Sequence, residues 1–435
     1  MLSHMKLRDV AAEATRGMAM RSKRNPVDPL LSDLARHPIT RRQLLRAAGA
    51  GVAGVSLGSL LAACGGDGGS APDGGASPSA GFDWSSQQEA GVLDFGNWPF
   101  YMDKGKVAGE KGYPSLARFT QDTGIEVDYR EVIEDYASFF TQLRPLLEAD
   151  QDTGYDLIMT GYPRWLPQMR DLGYLIPLDH AQLPNFDQYV ADKYKDPSWD
   201  PGNMFGMPYF SIMTGIGYDP ELTGREITSF NDLLDPEFAG KVGMLIGVPE
   251  DMPNLALLGI GVEPSTSTPA DWQRAADVLT KQRDDGIVRK YYGQSYINEL
   301  QNGNIALAMA WAPDIFQSNL SGFPNLKFVL PEEGGLLAID TLCIPQGAQH
   351  PVDALTYMNY IYQPEISAMM TSWIQGVPPV PEAKDVLSST GFKDLAESPL
   401  IFPDEQTYAN LHEYRTLTPQ EQQEWDDLFL PIYLT

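Results

Sequence analysis

Val92-Leu93-Asp94-Phe95, Ile125-Glu126-Val127-Asp128-Tyr129 and Tyr155-Asp156-Leu157-Ile158-Met159 are three short apolar or alternating runs, each the length of a strand. Between them lie two longer segments with helical spacing. In Tyr113–Thr123 the apolar residues are Leu116, Ala117 and Phe119, and Gly124 stops the segment. Tyr136–Glu148 is the second. A strand–helix–strand–helix–strand order predicts crossover connections and a mostly parallel, open α/β sheet. Ligands of such sheets sit beyond the carboxyl ends of the strands. Two loops fall there, Gly96-Asn97-Trp98-Pro99-Phe100-Tyr101 and Thr160-Gly161-Tyr162-Pro163-Arg164-Trp165. Both combine turn formers with aromatic rings, which suits them either to ligand contact or to capping the end of the core.

Working outward, the pattern recurs in the second half. Lys241–Leu245, Ala306–Trp311, Phe328–Leu330 and Leu336–Ile344 read as strands, and Asp271–Gln282 as a helix. Pro351–Tyr362, Pro364–Gln375 and Pro419–Leu430 read as helices opened by prolines. The chain has 435 residues with 43% hydrophobic and 20% charged residues, enough for two or three domains with a sizeable core.

Charge is unevenly placed. Residues 1–63 hold 10 Lys/Arg and 4 Asp/Glu, leaving 21 basic and 54 acidic residues, a net of −33, in residues 64–435. So acidic a surface repels nucleic acid phosphates and anionic headgroups, and excludes a nucleic-acid partner. The two cysteines, Cys64 and Cys343, form no disulfide framework, and the five histidines show no ligand or triad spacing. Gly-x-Ser-x-Gly, His-Glu-x-x-His and P-loop motifs are absent, which disfavours an exported hydrolase. Neither a cofactor nor a catalytic residue is expected.

The first 81 residues read as an address. Thr40-Arg41-Arg42-Gln43-Leu44-Leu45-Arg46 resembles the twin-arginine export motif, with Arg41 and Arg42 as its pair. The Gly-rich apolar stretch Ala47–Ala63 is short for a membrane span. It ends in Leu61-Ala62-Ala63-Cys64, which is similar to a lipoprotein signal peptidase site, with Cys64 as the lipidated thiol. Residues 65–81 consist of Gly, Ser, Ala, Pro and Asp, a flexible tether with a reach of about 20–25 Å. The boundaries expected are therefore a signal peptide over 1–63 and a tether over 64–81.

Six further segments carry a family resemblance, in order: Phe95–Tyr101, Phe119–Val127, Gly154–Leu157, Gly206–Tyr218, Ser229–Lys241 and Glu333–Pro345. Together they resemble the substrate-binding proteins of ABC importers, and most of all the spermidine/putrescine-binding group. The resemblance runs from about Val92 to Lys384. It implies a two-lobed fold with a ligand cleft between the lobes. The chain would cross near Phe210–Gly215 and again near Leu337–Thr341. Lobe 1 would comprise 82–210 with 341–384, and lobe 2 would comprise 211–340 with 385–435. It also implies a monomer that closes on a small cationic ligand and presents it to permease subunits.

Carried over by motif, the ligand contacts would be Trp98, Tyr101, Tyr162, Asp251, Trp311 and Asp340. The chemistry agrees. A buried ammonium without a carboxylate costs several kcal/mol, and each aromatic face adds ~0.5–2 kcal/mol of cation–π attraction. Asp340, a lone acid in the apolar strand Leu336–Ile344, needs a partner. Asp251, beside Glu250, equally suits a solvated loop, and Trp311 a core position. Ala338, Val377 and Val248 stand where the family carries two aromatics and an acid, which implies a wider, drier and less cation-seeking cleft. The same fold around a sugar, another amine or an amino-acid-derived compound stays open.

Overall fold

The computed structural model describes residues 82–161 and 163–434. Its strands are β1 (Val92–Asn97), β2 (Gly105–Val107), β3 (Glu110–Gly112), β4 (Glu126–Glu131), β5 (Leu157–Gly161), β6 (Met207–Tyr218), β7 (Val242–Leu245), β8 (Val288–Tyr292), β9 (Leu307–Trp311), β10 (Lys327–Val329), β11 (Gly335–Cys343) and β12 (Leu411–His412). Apart from the small β2–β3 hairpin they form one sheet, ordered β4-β1-β5-β11-β6-β9-β7-β8, with β10 on β6 and β12 on β11.

This sheet has two parallel wings and an antiparallel centre. β1 pairs in parallel with β4 and β5, and β7 in parallel with β8 and β9. The centre is the antiparallel pair β6/β11. The Asp340–Cys343 half of β11 also pairs with β5, and the Thr214–Tyr218 half of β6 also pairs with β9. Each central strand thus runs from one wing into the other. The expectation of a mostly parallel sheet holds in the wings and fails in the centre, where strands returning between wings must run against their neighbours. All twelve residues of β6 are buried. Its largely apolar run, Met207–Tyr218, broken only by Ser211, Thr214 and its glycines, has no alternation from which a strand is read, as expected where both faces are covered.

Local chemistry sets the helices that carry the first wing. α1 (Pro114–Thr123) opens with proline, buries Leu116 and Phe119, and ends at Gly124 with φ 84°. α2 (Tyr136–Glu148) is capped by Asp135, whose side chain accepts from the Ser138 amide, and buries Tyr136, Phe139, Phe140, Leu143 and Leu147 along one stripe. On the other wing, the long helix α3 (Pro269–Asp284) packs against α4 (Pro419–Tyr433). Trp272 and Trp425 meet edge to face at 5.3 Å, and Arg283 donates to the Pro431 carbonyl at 3.2 Å. The C-terminal segment is in this way bound to the second wing.

The helix Asp251–Gly259, the hairpin and β8 are absent from the sequence reading. Cys343 is a buried free thiol whose Sγ lies 3.0 Å from Thr160 Oγ1, and burial pushes it up to about 12. Burial and a raised pKa both keep this thiol in its unreactive protonated form. Cys64, Arg41, Arg42 and Tyr162 lie outside the described residues. No helix among the described residues is long and apolar enough to cross a membrane.

Candidate ligand-binding site

The loop after β1 is fixed by its own first residue. Asn97 is fully buried. Its side-chain oxygen accepts from the Trp98 amide at 2.8 Å, and its amide group donates to the Tyr101 carbonyl at 3.2 Å. That turns Trp98 and Tyr101 inward. Trp98 stands edge-on to Tyr136 at 5.1 Å and reaches Trp311, at the end of β9, at 6.1 Å. The two indoles therefore meet between the wings. Phe100, in the same loop, has φ 63°, unusual for a bulky residue, and is 40% exposed.

A cavity of about 70 Å³ opens here, lined by residues of both wings, among them Trp98, Tyr101, Tyr136, Trp311, Asp314 and Asp340. Asp340 occupies the point in β11 where its register against β6 slips, between Ile339 and Thr341. Such an irregularity re-aims a side chain. The Asp340 carboxylate accepts from Tyr101 Oη at 2.6 Å and from Tyr136 Oη at 3.0 Å. Burial pushes its pKa up to about 6, with the two tyrosine hydroxyls pulling weakly the other way.

Asp314 is built in the same manner. It lies in the first turn of the helix Ala312–Leu320 and accepts from Gln294 Nε2 at 2.8 Å and Tyr296 Oη at 2.7 Å. Burial pushes it up to about 7. Asp251 also borders the cavity, is 1% exposed, and accepts from Trp311 Nε1 at 2.8 Å, Tyr414 Oη at 2.6 Å and Thr214 Oγ1 at 3.0 Å. Burial raises its pKa too.

Three carboxylates thus face one cavity, each held by neutral donors alone. Among the described residues, the cavity lining contains no lysine, arginine or histidine. In such surroundings an ionised carboxylate is destabilised, and an entering cation relieves all three.

Of the residues expected from sequence, Trp98, Tyr101, Asp251, Trp311 and Asp340 converge on this cavity, while Tyr162 is not described. The solvated-loop reading of Asp251 is corrected. The acid heads the helix Asp251–Gly259 and is buried, accepting one bond from the Trp311 indole and one each from Tyr414 and Thr214. Ala338 and Val248 do line the cavity, but Val377 does not. Val377 is buried and its backbone pairs with that of Ser211. Asp314 is a second-wing acid bordering the cavity that the reading of Val248 as a missing acid did not include. Sequence reading missed Asp314, Tyr136, Gln294 and Tyr296. The available signal was Asp314 placed three residues after Trp311, at a helix start where an acid aims toward a strand end.

Residues 115–399 match the family of bacterial extracellular solute-binding proteins. The chain belongs to that family. The spermidine/putrescine-binding periplasmic protein of Escherichia coli (strain K12) is 27% identical over 320 residues, covering 73% of this chain and 85% of the relative. The spermidine/putrescine-binding periplasmic protein 1 of Haemophilus influenzae is 30% identical over 299 residues, covering 68% and 79%. Among solved structures, the substrate-binding protein PotD of Streptococcus pneumoniae superposes with a TM-score of 0.63 at 23% identity, covering 79% of this chain and 98% of that one. The PotD lipoprotein of Treponema pallidum superposes with 0.65 at 16% identity, covering 79% and 100%. The fold shared with these structures is the two-lobed periplasmic-binding-protein fold, and each wing of the sheet is the core of one lobe. The family is one of extracellular solute-binding proteins, and these relatives are named for the binding of spermidine and putrescine in the periplasm.

Proposed function

We propose that this member of the solute-binding family captures a small organic polycation of the putrescine/spermidine type outside the cytoplasm and hands it to the permease subunits of an ABC importer. The observation that carries this reading is the set of three carboxylates, Asp251, Asp314 and Asp340, around a cavity with no basic side chain among the described residues. Asp340 and Asp314 take ammonium groups, and the faces of Trp98, Trp311 and Tyr101 take the methylenes between them. The small cavity favours a slender chain over a sugar ring. Ligand binding shifts the lobes toward the closed arrangement that the permease recognises.

Calorimetric titration of the purified protein tests this reading. Micromolar or tighter binding of putrescine or spermidine is expected, with silence toward neutral sugars. Sugar binding with no response to any amine would overturn it.

Residues 1–81 extend the proposal. Export by the twin-arginine route, cleavage before Cys64 and a diacylglycerol on that thiol place the protein on the outer face of the cytoplasmic membrane, tethered by residues 65–81. Mass spectrometry of the membrane fraction should find a lipid-modified N-terminal Cys64 peptide. A soluble chain retaining residues 1–63 would refute the anchor.

A further inference from the structure

Outside the cavity, a second set of charges spans the two lobes. Arg164 follows β5 and precedes the helix Trp165–Asp171, on the β4-β1-β5 lobe. Its guanidinium forks onto Asp426 of α4, with Nη1 to Oδ1 at 3.1 Å and Nη2 to Oδ2 at 2.9 Å. The same Nη1 lies 3.3 Å from Glu250 Oε1. Glu250 and Asp426 both belong to the β9-β7-β8 lobe, Glu250 through the helix it precedes and Asp426 through the packing of α4 on α3. None of the three borders the ligand cavity.

The geometry is that of a strong pair. The Arg164 and Asp426 side chains are each 18% exposed and the Glu250 side chain is 4% exposed. Two parallel bonds between a planar fork and a carboxylate fix orientation as well as charge. Glu250 alone would be destabilised by its burial, and Arg164 lowers its pKa in opposition to that. A cavity of about 420 Å³, bordered by Arg164, Glu250 and Asp426, adjoins the pair, so water has access when the lobes part. Breaking the pair is thereby offset in part by hydration, which leaves it reversible.

We infer that Arg164, Glu250 and Asp426 form an electrostatic latch that draws the two lobes together before any ligand enters. The unliganded protein then divides between open and closed arrangements, and the latch sets the ratio. Ligand carboxylates and latch act in series. Glu250 directly precedes Asp251, whose carboxylate holds Trp311, so latch closure and the placing of the cavity wall move as one piece of chain.

Small-angle X-ray scattering of the unliganded protein tests the latch. Arg164→Ala should be more expanded than the wild type at low salt. Raising salt to about 1 M, where the Debye length falls to ~3 Å, should expand the wild type toward the variant and leave the variant unchanged. Asp426→Asn should behave in the same direction, which guards against a folding defect peculiar to one substitution. The paired exchange Arg164→Asp with Asp426→Arg should restore part of the compaction. Ligand affinity in Arg164→Ala should fall about tenfold, because the closed complex loses the same bonds. A wild type as expanded as Arg164→Ala at low salt, or dimensions indifferent to salt, would overturn the latch. The scattering needs no ligand, so its outcome is separate from that of the amine assignment.

Discussion

Replacing Asp340 with alanine is expected to weaken amine binding by roughly 30- to 5000-fold while leaving the protein folded. The estimate follows from the position of the carboxylate. Removing one partner of a buried, hydrogen-bonded charge pair costs about 2–5 kcal/mol, because the other charge is left in a medium that does not solvate it. Among the described residues, Asp340 is the acid that both tyrosines bond in the cavity, at 2.6 Å from Tyr101 Oη and 3.0 Å from Tyr136 Oη. Without it those hydroxyls point at the ligand as neutral dipoles, and no neighbouring acid takes over the same spot. Asp340→Asn keeps the volume and one acceptor, and should lose nearly as much affinity. Tyr101→Phe and Tyr136→Phe remove only a neutral donor and should cost about 10- to 150-fold each, the scale of one hydrogen bond to a charged group. Calorimetry with putrescine on the four variants ranks them, and thermal unfolding in parallel shows that each is folded. An Asp340→Ala protein that binds putrescine as well as the wild type removes Asp340 from the site and with it the charge argument.

The ease with which Asp340 was found, and the difficulty with Asp314, have a common physical basis. Asp340 interrupts the apolar run Leu336–Ile344, and a charge in a buried strand is conspicuous because burial without a partner is expensive. Asp314 sits in the polar turn after Trp311, at the start of a helix, where acids are ordinary for reasons unrelated to ligands. Its role depends on Gln294 and Tyr296, which reach it from a separate helix and loop, and no local pattern encodes that meeting. The wings were legible for a similar reason. β1, β4, β5, β7 and β9 alternate with helices whose stripes have the right period, and the structure places each within a few residues of its expected span. β8 was not legible, because Val288-Arg289-Lys290-Tyr291-Tyr292 is an edge strand with two exposed basic residues. The Arg164 latch was not legible either, since its partners lie 86 and 262 residues away.

Affinity for a dicationic amine should fall steeply as pH drops below 7. Asp314 is pushed up to about 7 and Asp340 to about 6, both by burial. Above pH 7 both are ionised in the empty cavity and the ligand meets its full charge complement. As pH falls through 7, Asp314 takes a proton and affinity declines about tenfold per unit. Below 6 Asp340 follows, and the slope approaches 100-fold per unit. Binding between those limits must release protons, because a bound ammonium restores the ionised form. Stability of the unliganded protein runs the opposite way. A carboxyl whose folded pKa lies above its unfolded value of 3.8 binds more protons folded than unfolded between the two values. Its contribution to stability is complete below about pH 4 and is lost as pH rises through 6 to 7. Unliganded protein should therefore lose part of its stability over that range while ligand-induced stabilisation grows. Titrations at several pH values between 5 and 8.5, in two buffers of different ionisation enthalpy, give both the affinity profile and the proton count. Asp314→Asn should abolish the step near 7 and keep the one near 6. A flat affinity profile with no proton release would mean that both carboxylates stay ionised in the empty cavity across this range, and the pH dependence drawn from their burial would fall.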